Sequence, residues 1–134
     1  MSGWGGHRRA TSEALLAVLV KAAGGGELSR AERVLFTACE FWAAVNNRSL
    51  RQHLSDSAIG RLQYAEESFE TIGLVSVAAL LRSGRISLTS ASAPAPLRRV
   101  AATIEETLTR TAEPVDELIA DFAREHAWER LPRS

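Results

Sequence analysis

Residues 29–47, SRAERVLFTACEFWAAVNN, hold the clearest helical pattern in the chain and decide its fold class. Large apolar side chains recur three and four positions apart, which is the spacing of one helical face. Ser29 and Glu32 stand three positions apart at the start, and this spacing is typical of a capping box. The stretch therefore predicts a helix that runs to about Asn46 and has this apolar face: Val34, Leu35, Ala38, Phe41, Trp42 and Val45.

Apolar residues at helical spacing predict further helices on both sides of this one. The predicted spans are 11–24, 50–55, 58–72, 74–83, 97–110 and a last helix that Pro114 begins and Pro132 ends. Ser49 and Gln52 repeat the capping-box spacing at the start of the short helix. Gly73 and Gly84 each follow an apolar run, so we expect both to end helices.

Residues 84–96, GRISLTSASAPAP, form the only long loop that the pattern predicts. RISLT alternates like a strand, but a lone strand has no partner with which to pair. We therefore predict an all-α fold: a single compact bundle of six or seven helices that spans residues 1–134 as one domain. Residues 1–11 are expected to be flexible.

The composition excludes several classes of function. The 134 residues are 46% hydrophobic, enough for an ordinary core. Sixteen basic and sixteen acidic residues give a formal net charge of zero, so we expect neither direct nucleic-acid binding nor binding to an anionic membrane. No apolar run approaches the length of a membrane span. A single cysteine permits no intramolecular disulfide and favours a cytoplasmic location, although residues 7–24 loosely resemble a signal peptide.

Catalytic and metal-binding patterns are not found in the sequence. Cys39 lies mid-helix, without the exposure or positive charge that a reactive thiol needs. No nucleophile elbow, P-loop or dinucleotide-binding glycine motif is present. The three histidines, at positions 7, 53 and 126, lack metal-ligand spacing. His126 falls on an apolar stripe, so we expect it to be buried and hydrogen-bonded. We predict no enzyme activity, no cofactor and no metal.

The polar segment VNNRSLRQHLSDS, residues 45–57, is the first candidate site. A structural interpretation accounts for much of it: two consecutive Asn can adopt left-handed backbone angles and end the helix, and the Gln and Arg side chains can bind the freed carbonyls. An alternative is a pocket that binds a small ligand or supports catalysis. The candidate partner-binding residues in this segment are Asn46, Asn47, Arg48, Arg51, Gln52, His53 and Asp56.

The charge layout gives a second candidate site. Residues 81–99 contain four arginines and no acid, whereas residues 100–134 contain eight acids and four arginines. Carboxylates recur every fourth residue at Glu113, Glu117, Asp121, Glu125 and Glu129. Four helical residues rise about 6 Å, a step similar to the phosphate spacing of DNA. Such a row can imitate phosphates, or it can be the ordinary polar side of an amphipathic helix.

The polar segment also carries a resemblance. The pattern V-N-N-x-x-L-x-Q-H-L-x-D at 45–56, followed by F-E-x-I-G at 69–73, resembles a bacterial all-helical domain family that includes a DNA mimic protein. The closing helix, VDELIADFAREHAWERL, is similar to the acidic amphipathic helix that ends that family's domain. The resemblance spans roughly residues 33–131. It implies an all-helical domain and, for the DNA mimic activity, a markedly acidic surface.

Three departures from the family pattern bear on these implications. Arg48-Ser49 replaces the usual Gly-Gly, Leu50 replaces an aromatic residue, and Asp56 replaces an Asn. Without the glycines, the turn is expected to use ordinary backbone angles, or its Asn residues are expected to adopt the left-handed ones. The zero net charge also differs from the acidic surface of a DNA mimic.

The function that we predict is that of a non-catalytic bacterial protein-interaction domain, of regulatory or immunity type. It would bind an unidentified partner protein through the polar segment and the last helix, by charge complementarity. Two alternatives stay open: a DNA mimic that sequesters a DNA-binding protein, and a small-ligand binder or enzyme built on the polar segment. The sequence leaves a homodimer open.

Overall fold

The computed structural model describes residue 24 and residues 27–127. This part of the chain is all-α, as predicted, and contains six helices without a strand. The predicted helix at 11–24, the predicted flexible segment 1–11, Glu129 and Pro132 lie outside the described residues, apart from residue 24. The six helices are α1 (Arg30–Asn46), α2 (Leu50–Leu54), α3 (Ala58–Ile72), α4 (Val75–Leu88), α5 (Leu97–Thr109) and α6 (Val115–Ala127).

The predicted capping box at the start of α1 is confirmed. The Ser29 hydroxyl accepts the backbone N–H of Glu32 at 3.2 Å, and the Glu32 carboxylate accepts the backbone N–H of Ser29 at 2.6 Å. These two bonds satisfy donors that a helix start leaves without partners. Five members of the predicted apolar face are buried, whereas Trp42 is only half-buried.

Helices α3 and α4 form a hairpin, and the glycine between them ends α3 as predicted. Gly73 has a φ of 103°, which a residue with a Cβ rarely adopts. The backbone N–H groups of Gly73 and Leu74 both donate to the carbonyl of Phe69, at 3.1 and 2.8 Å. The chain reverses within two residues, so α4 begins at Val75.

Gly84 does not end a helix, and the loop predicted at 84–96 is wrong over its first five residues. Helix α4 continues to Leu88 and leaves a loop of residues 89–96. A Cβ built on Gly84 would lie 3.0 Å from Cγ1 of Val100 and 3.2 Å from Cδ1 of Ile104. The glycine therefore allows α5 to pack closely against α4, and this packing outweighs its poor helix propensity.

The core lies where α1, α3, α4, α5 and α6 meet, and the short helix α2 contributes two fully buried leucines, Leu50 and Leu54. The rings of Phe41 and Phe69 join α1 to α3 edge-to-face, with centroids 5.8 Å apart and an interplanar angle of 78°. This aromatic contact stabilises the packing of α1 against α3. Among the described helices, none combines the length and the apolar character that crossing a membrane requires.

Candidate functional site

The polar segment forms the turn between α1 and α2, and its left-handed residue is Arg48. Arg48 has a φ of 57°, whereas Asn47 has a φ of −91°. Neither sequence expectation for this turn is correct, because the backbone is left-handed and Arg48 itself adopts that conformation. Arg48 stands where the resembling family has its first glycine, so the family's glycine has a direct backbone explanation here.

The backbone closes this turn. The N–H groups of Asn47, Arg48 and Ser49 donate to carbonyls in the last turn of α1, at 2.9, 3.2 and 2.9 Å. The Ser49 hydroxyl also donates to the carbonyl of Ala44, at 3.4 Å. The expected bonds from Gln52 and Arg side chains to the freed carbonyls are not what closes the turn.

The capping box predicted at Ser49 and Gln52 does not form, since Ser49 makes no side-chain cap. The helix that it was expected to start is present as α2. A carboxylate from α5 takes the place of the local cap: Glu105 accepts the backbone N–H of Leu50 at 3.1 Å. An anionic group at a helix start is also favoured by the helix dipole.

Most candidate side chains of the polar segment face solvent. Asn46, Asn47, Arg48, Gln52 and Asp56 are exposed. This arrangement is that of an open surface and does not favour the alternative in which they line a pocket. The remaining candidates are Arg51, which is also exposed, and His53, which is half-buried.

His53 is the one inward-facing candidate of this segment. Its ring packs edge-to-face on Phe41, with centroids 6.0 Å apart, and its Nε2 lies 4.0 Å from a carboxylate oxygen of Glu40. The pKa of His53 lies below its usual value, mainly because burial disfavours the charged ring. The charge of Glu40 acts in the opposite direction, and the charge of Arg61 adds to the lowering. Among the described residues, no group of three His, Cys, Asp or Glu side chains is placed to hold a metal ion.

The second candidate site is only partly as predicted. Glu117, Asp121 and Glu125 are exposed and stand four residues apart on α6, and we call these three residues the α6 row. Arg124, also on α6, forms an ion pair with Asp121. Glu129 lies outside the described residues.

Glu113 does not belong to this row. It precedes α6, is half-buried, and accepts the backbone N–H groups of Ser76 and Val77 at 3.3 and 2.9 Å. These residues begin α4, so Glu113 caps that helix. Its inclusion in a row that faces a partner is corrected for this reason: spacing in the sequence placed it on the helix, but α6 begins only at Val115.

The chain carries a buried carboxylate that the sequence analysis did not single out. The Glu66 side chain is only 8% exposed and binds Arg82 Nε at 2.8 Å and Arg85 Nη2 at 2.9 Å. Two of the four arginines in the acid-free segment 81–99 are therefore paired internally. Burial raises the pKa of Glu66, whereas the hydrogen bonds and charges of Arg85 and Arg82 lower it. The two arginines together outweigh burial, so the pKa of Glu66 lies below its usual value.

A second contact that the sequence did not indicate joins α1 to α6. The indole Nε1 of Trp42 donates to Oδ1 of Asp116 at 2.9 Å. Asp116 and Trp42 are 74 residues apart, so no local spacing could have paired them. The bond holds the first turn of α6 against α1.

The predicted roles of Cys39 and His126 can now be compared with their surroundings. Cys39 is buried, and burial, together with the charge of Asp116, raises the pKa of its thiol to about 12. The thiol is therefore unsuited to nucleophilic attack near neutral pH. His126 was expected to be buried, but it is half-buried and stacks on Phe122 with ring centroids 4.2 Å apart.

The comparisons with known proteins bear on the family. A profile of the family described as DMP19-like protein, in which the abbreviation stands for DNA mimic protein 19, matches residues 26–133. No curated protein and no solved structure is significantly similar to the chain. The predicted resemblance to a family that includes a DNA mimic protein is thus confirmed at the level of the family. Because the match spans well over half of the sequence, the chain belongs to the DMP19-like protein family.

Proposed function

We propose that this chain is a non-catalytic protein-interaction domain that binds a partner protein through the α6 row. The observation that carries the proposal is the regular exposure of three carboxylates along one helix, where Asp121 also forms an ion pair with Arg124 of the same helix. Glu117, Asp121 and Glu125 are exposed at a regular spacing on one helix. The carboxylates of four other residues are committed to bonds inside the fold: Glu32, Glu66, Glu105 and Glu113.

The charge distribution supports docking to a basic surface. The described residues 27–127 carry 14 acidic and 11 basic side chains, although the whole chain is neutral. Two of the eleven arginines, Arg82 and Arg85, bind the buried Glu66. Exposed carboxylates on a rigid helix attract a basic partner and orient it. Such charges mainly raise the rate at which the two proteins associate. A role of regulatory or immunity type, in which the domain blocks an effector, would use such docking.

DNA mimicry is the second candidate function, and the family supports it. The DMP19-like family carries the name of a DNA mimic protein. Successive carboxylates of the α6 row are separated by one helical step of about 6 Å, which is on the scale of the phosphate spacing. This candidate names the class of partner: a protein that binds DNA and whose DNA site the row would occupy.

Affinity capture from the source organism, followed by mass spectrometry, tests the proposal. The bait is the full chain, compared with a row variant, E117Q/D121N/E125Q, and a control variant, E67Q/E70Q/E106Q, which removes three exposed carboxylates outside α6. A partner that the full chain and the control variant retain and that the row variant loses supports the proposal. Equal retention by both variants contradicts it.

Competition separates the two candidates. Excess duplex DNA displaces a captured partner if the row imitates phosphates, because both ligands then occupy one site. A partner that remains bound in excess DNA supports the general interaction domain and excludes the mimic.

A further inference from the structure

A groove lies between α4 and α5, and its lining is mainly apolar. Two hollows of about 400 and 120 Å³ lie in it, and Leu80 contributes to both. On α4 the lining runs from Ser76 to Ser87, about 17 Å along the helix axis. Most of its polar side chains are the hydroxyl groups of serines and threonines, and its large apolar side chains are those of Val77, Leu80, Val100, Ile104 and Leu108.

Helix α4 also exposes apolar side chains beside this groove. Val75 and Ile86 are 63% and 58% exposed, and they stand three helical turns apart, so they lie on the same side of α4. Ala79, between them, is exposed as well. A helix that is apolar on nearly all sides is typical of one with neighbours all round. The exposed side of α4 therefore has the composition of a surface that packs against another protein.

The segment that forms most of this surface contains no acid. Residues 71–104 hold four arginines and neither Asp nor Glu. Arg82 and Arg85 bind the buried Glu66, so their charges are balanced inside the fold. Arg99 lines the smaller hollow, is exposed, and forms no ion pair in the part of the chain that the structure describes. The smaller hollow thus combines an apolar surface with a cation that its own lining does not balance.

This combination fits an amphipathic helix better than a nucleic acid. Apolar anchors three, four and seven positions apart on a helix fill neighbouring hollows of a groove. A carboxylate beside the anchors can pair with the Arg99 guanidinium. A nucleic acid brings phosphates for Arg99 but no side chains for the apolar lining, and Glu106, which pairs with Arg110 at the larger hollow, would repel the phosphates.

We propose that the groove between α4 and α5 binds an acidic amphipathic helix of a partner protein. The apolar anchors of that helix occupy the two hollows next to Leu80, and one of its carboxylates pairs with Arg99. The groove is a second interaction surface, of different chemistry from the α6 row, and it does not rest on the proposed function.

Photocrosslinking in the source organism tests the groove with the full chain. The photoreactive residue p-benzoyl-phenylalanine replaces Ser83 in one variant and Thr107 in another, because both residues are exposed and line the groove. Tyr64 is the matched control position, since it is an exposed aromatic residue of α3 that the groove does not include. Mass spectrometry identifies the crosslinked peptides, and thermal melting checks that each variant folds.

We expect adducts at Ser83 and Thr107 in at least roughly fivefold higher yield than at Tyr64, within one segment of one partner protein. That segment should have apolar residues three, four and seven positions apart and more acidic than basic residues. Yields no higher than at Tyr64 overturn the inference. Adducts between two copies of the chain, with a nucleic acid, or in a segment without this pattern overturn it too.

A synthetic peptide with the sequence of the crosslinked segment tests the individual contacts by fluorescence anisotropy. Arg99→Gln should weaken its binding about three- to tenfold, whereas Arg33→Gln, which removes an exposed arginine of α1, should change it less than about twofold. Ser83→Tyr should weaken binding at least about tenfold, because the ring fills the smaller hollow, and Gln63→Tyr on α3 should not. Equal effects within either pair of variants overturn the proposed contacts.

The groove and the α6 row can fail independently. If no adducts form above the control while capture still depends on the row, the groove proposal is overturned and the proposed function stands. If the expected adducts form while capture ignores the row, the proposed function is overturned and the groove proposal stands.

Discussion

Glu113 accepts the backbone N–H of Val77 at 2.9 Å, across 36 residues of sequence. It accepts the N–H of Ser76 as well, and so it satisfies two donors at the start of α4. This relationship fixes the segment between α5 and α6 against the α3–α4 hairpin. It also removes one carboxylate from the acidic surface, so the surface proposed to bind a partner is confined to α6.

Replacing Glu113 by alanine should destabilise the fold by about 1–2 kcal/mol, because α4 loses a charged cap and two backbone donors lose their acceptor. Glu117→Ala is the matched control, since it removes an exposed carboxylate and should change stability by less than about 0.5 kcal/mol. Urea denaturation at pH 7 gives both values. Equal midpoints for the two variants would show that the cap contributes nothing.

Glu66→Gln should lower the free energy of unfolding at pH 7 by about 1–3 kcal/mol, because Arg82 and Arg85 lose their shared charged partner. The lower part of this range is expected, since the Arg82 side chain is 53% exposed and water screens its ion pair. Glu67→Gln, one residue later and exposed, should have little effect. If both variants unfold at the same urea concentration, the buried ion pair does not stabilise the fold.

The same carboxylate predicts a pH dependence. The folded pKa of Glu66 lies below its ordinary value of 4.5, so its stabilising effect is complete above that pH and is lost as the pH falls through the folded pKa. The stability difference between the natural chain and Glu66→Gln should therefore shrink below about pH 4.5. Thermal melts from pH 7 to pH 3 measure it. A difference that stays constant over this range would contradict the assignment.

Substitution of two glycines inside helices should change the stability of the fold in opposite directions. Gly84→Leu should destabilise by about 1–3 kcal/mol, because its side chain would meet Val100 and Ile104. Gly60→Ala should stabilise by about 0.5–1 kcal/mol, since a Cβ at Gly60 meets only one atom within contact range, Ser57 Oγ at 4.0 Å, and alanine is the better helix former. Chemical denaturation checks both, and a stabilising Gly84→Leu would refute the close packing of α4 on α5.

Arg48, in the turn between α1 and α2, and Arg51, in helix α2, provide another matched pair. Arg48→Gly should stabilise the fold by about 1 kcal/mol, because glycine adopts the left-handed φ without the Cβ clash. Arg51→Gly, in helix α2, should destabilise by a similar amount of about 1 kcal/mol through lower helix propensity. Melting temperatures that fall for both variants would contradict the conformation of this turn.

The features that the sequence predicted correctly are those governed by neighbours a few residues away. The capping box of Ser29 and Glu32 and the left-handed Gly73 both form as their local signals indicate. The interpretation of Gly84 failed because a glycine that ends a helix and one that admits a neighbouring helix look alike in sequence. What decides between them is Val100 and Ile104, which lie on α5.

The candidate site shows the same division. Spacing alone identified Glu117, Asp121 and Glu125 as an exposed row on one helix. It could not show that Glu113 caps α4 or that Glu105 reaches Leu50, because both bonds cross long stretches of sequence. The functional importance of the polar segment stays a prediction, since its exposed side chains fit both a partner surface and a solvated turn.

Titration calorimetry of the captured partner tests the central claim most directly. The row variant E117Q/D121N/E125Q and the control variant E67Q/E70Q/E106Q each lose three negative charges relative to the full chain. The two variants therefore have the same net charge and differ only in where the charges were removed. The account predicts that the row variant binds at least roughly tenfold more weakly than the full chain, and that the control variant binds within about threefold of it. Equal weakening in both variants would show that overall charge, and not the surface of α6, determines binding.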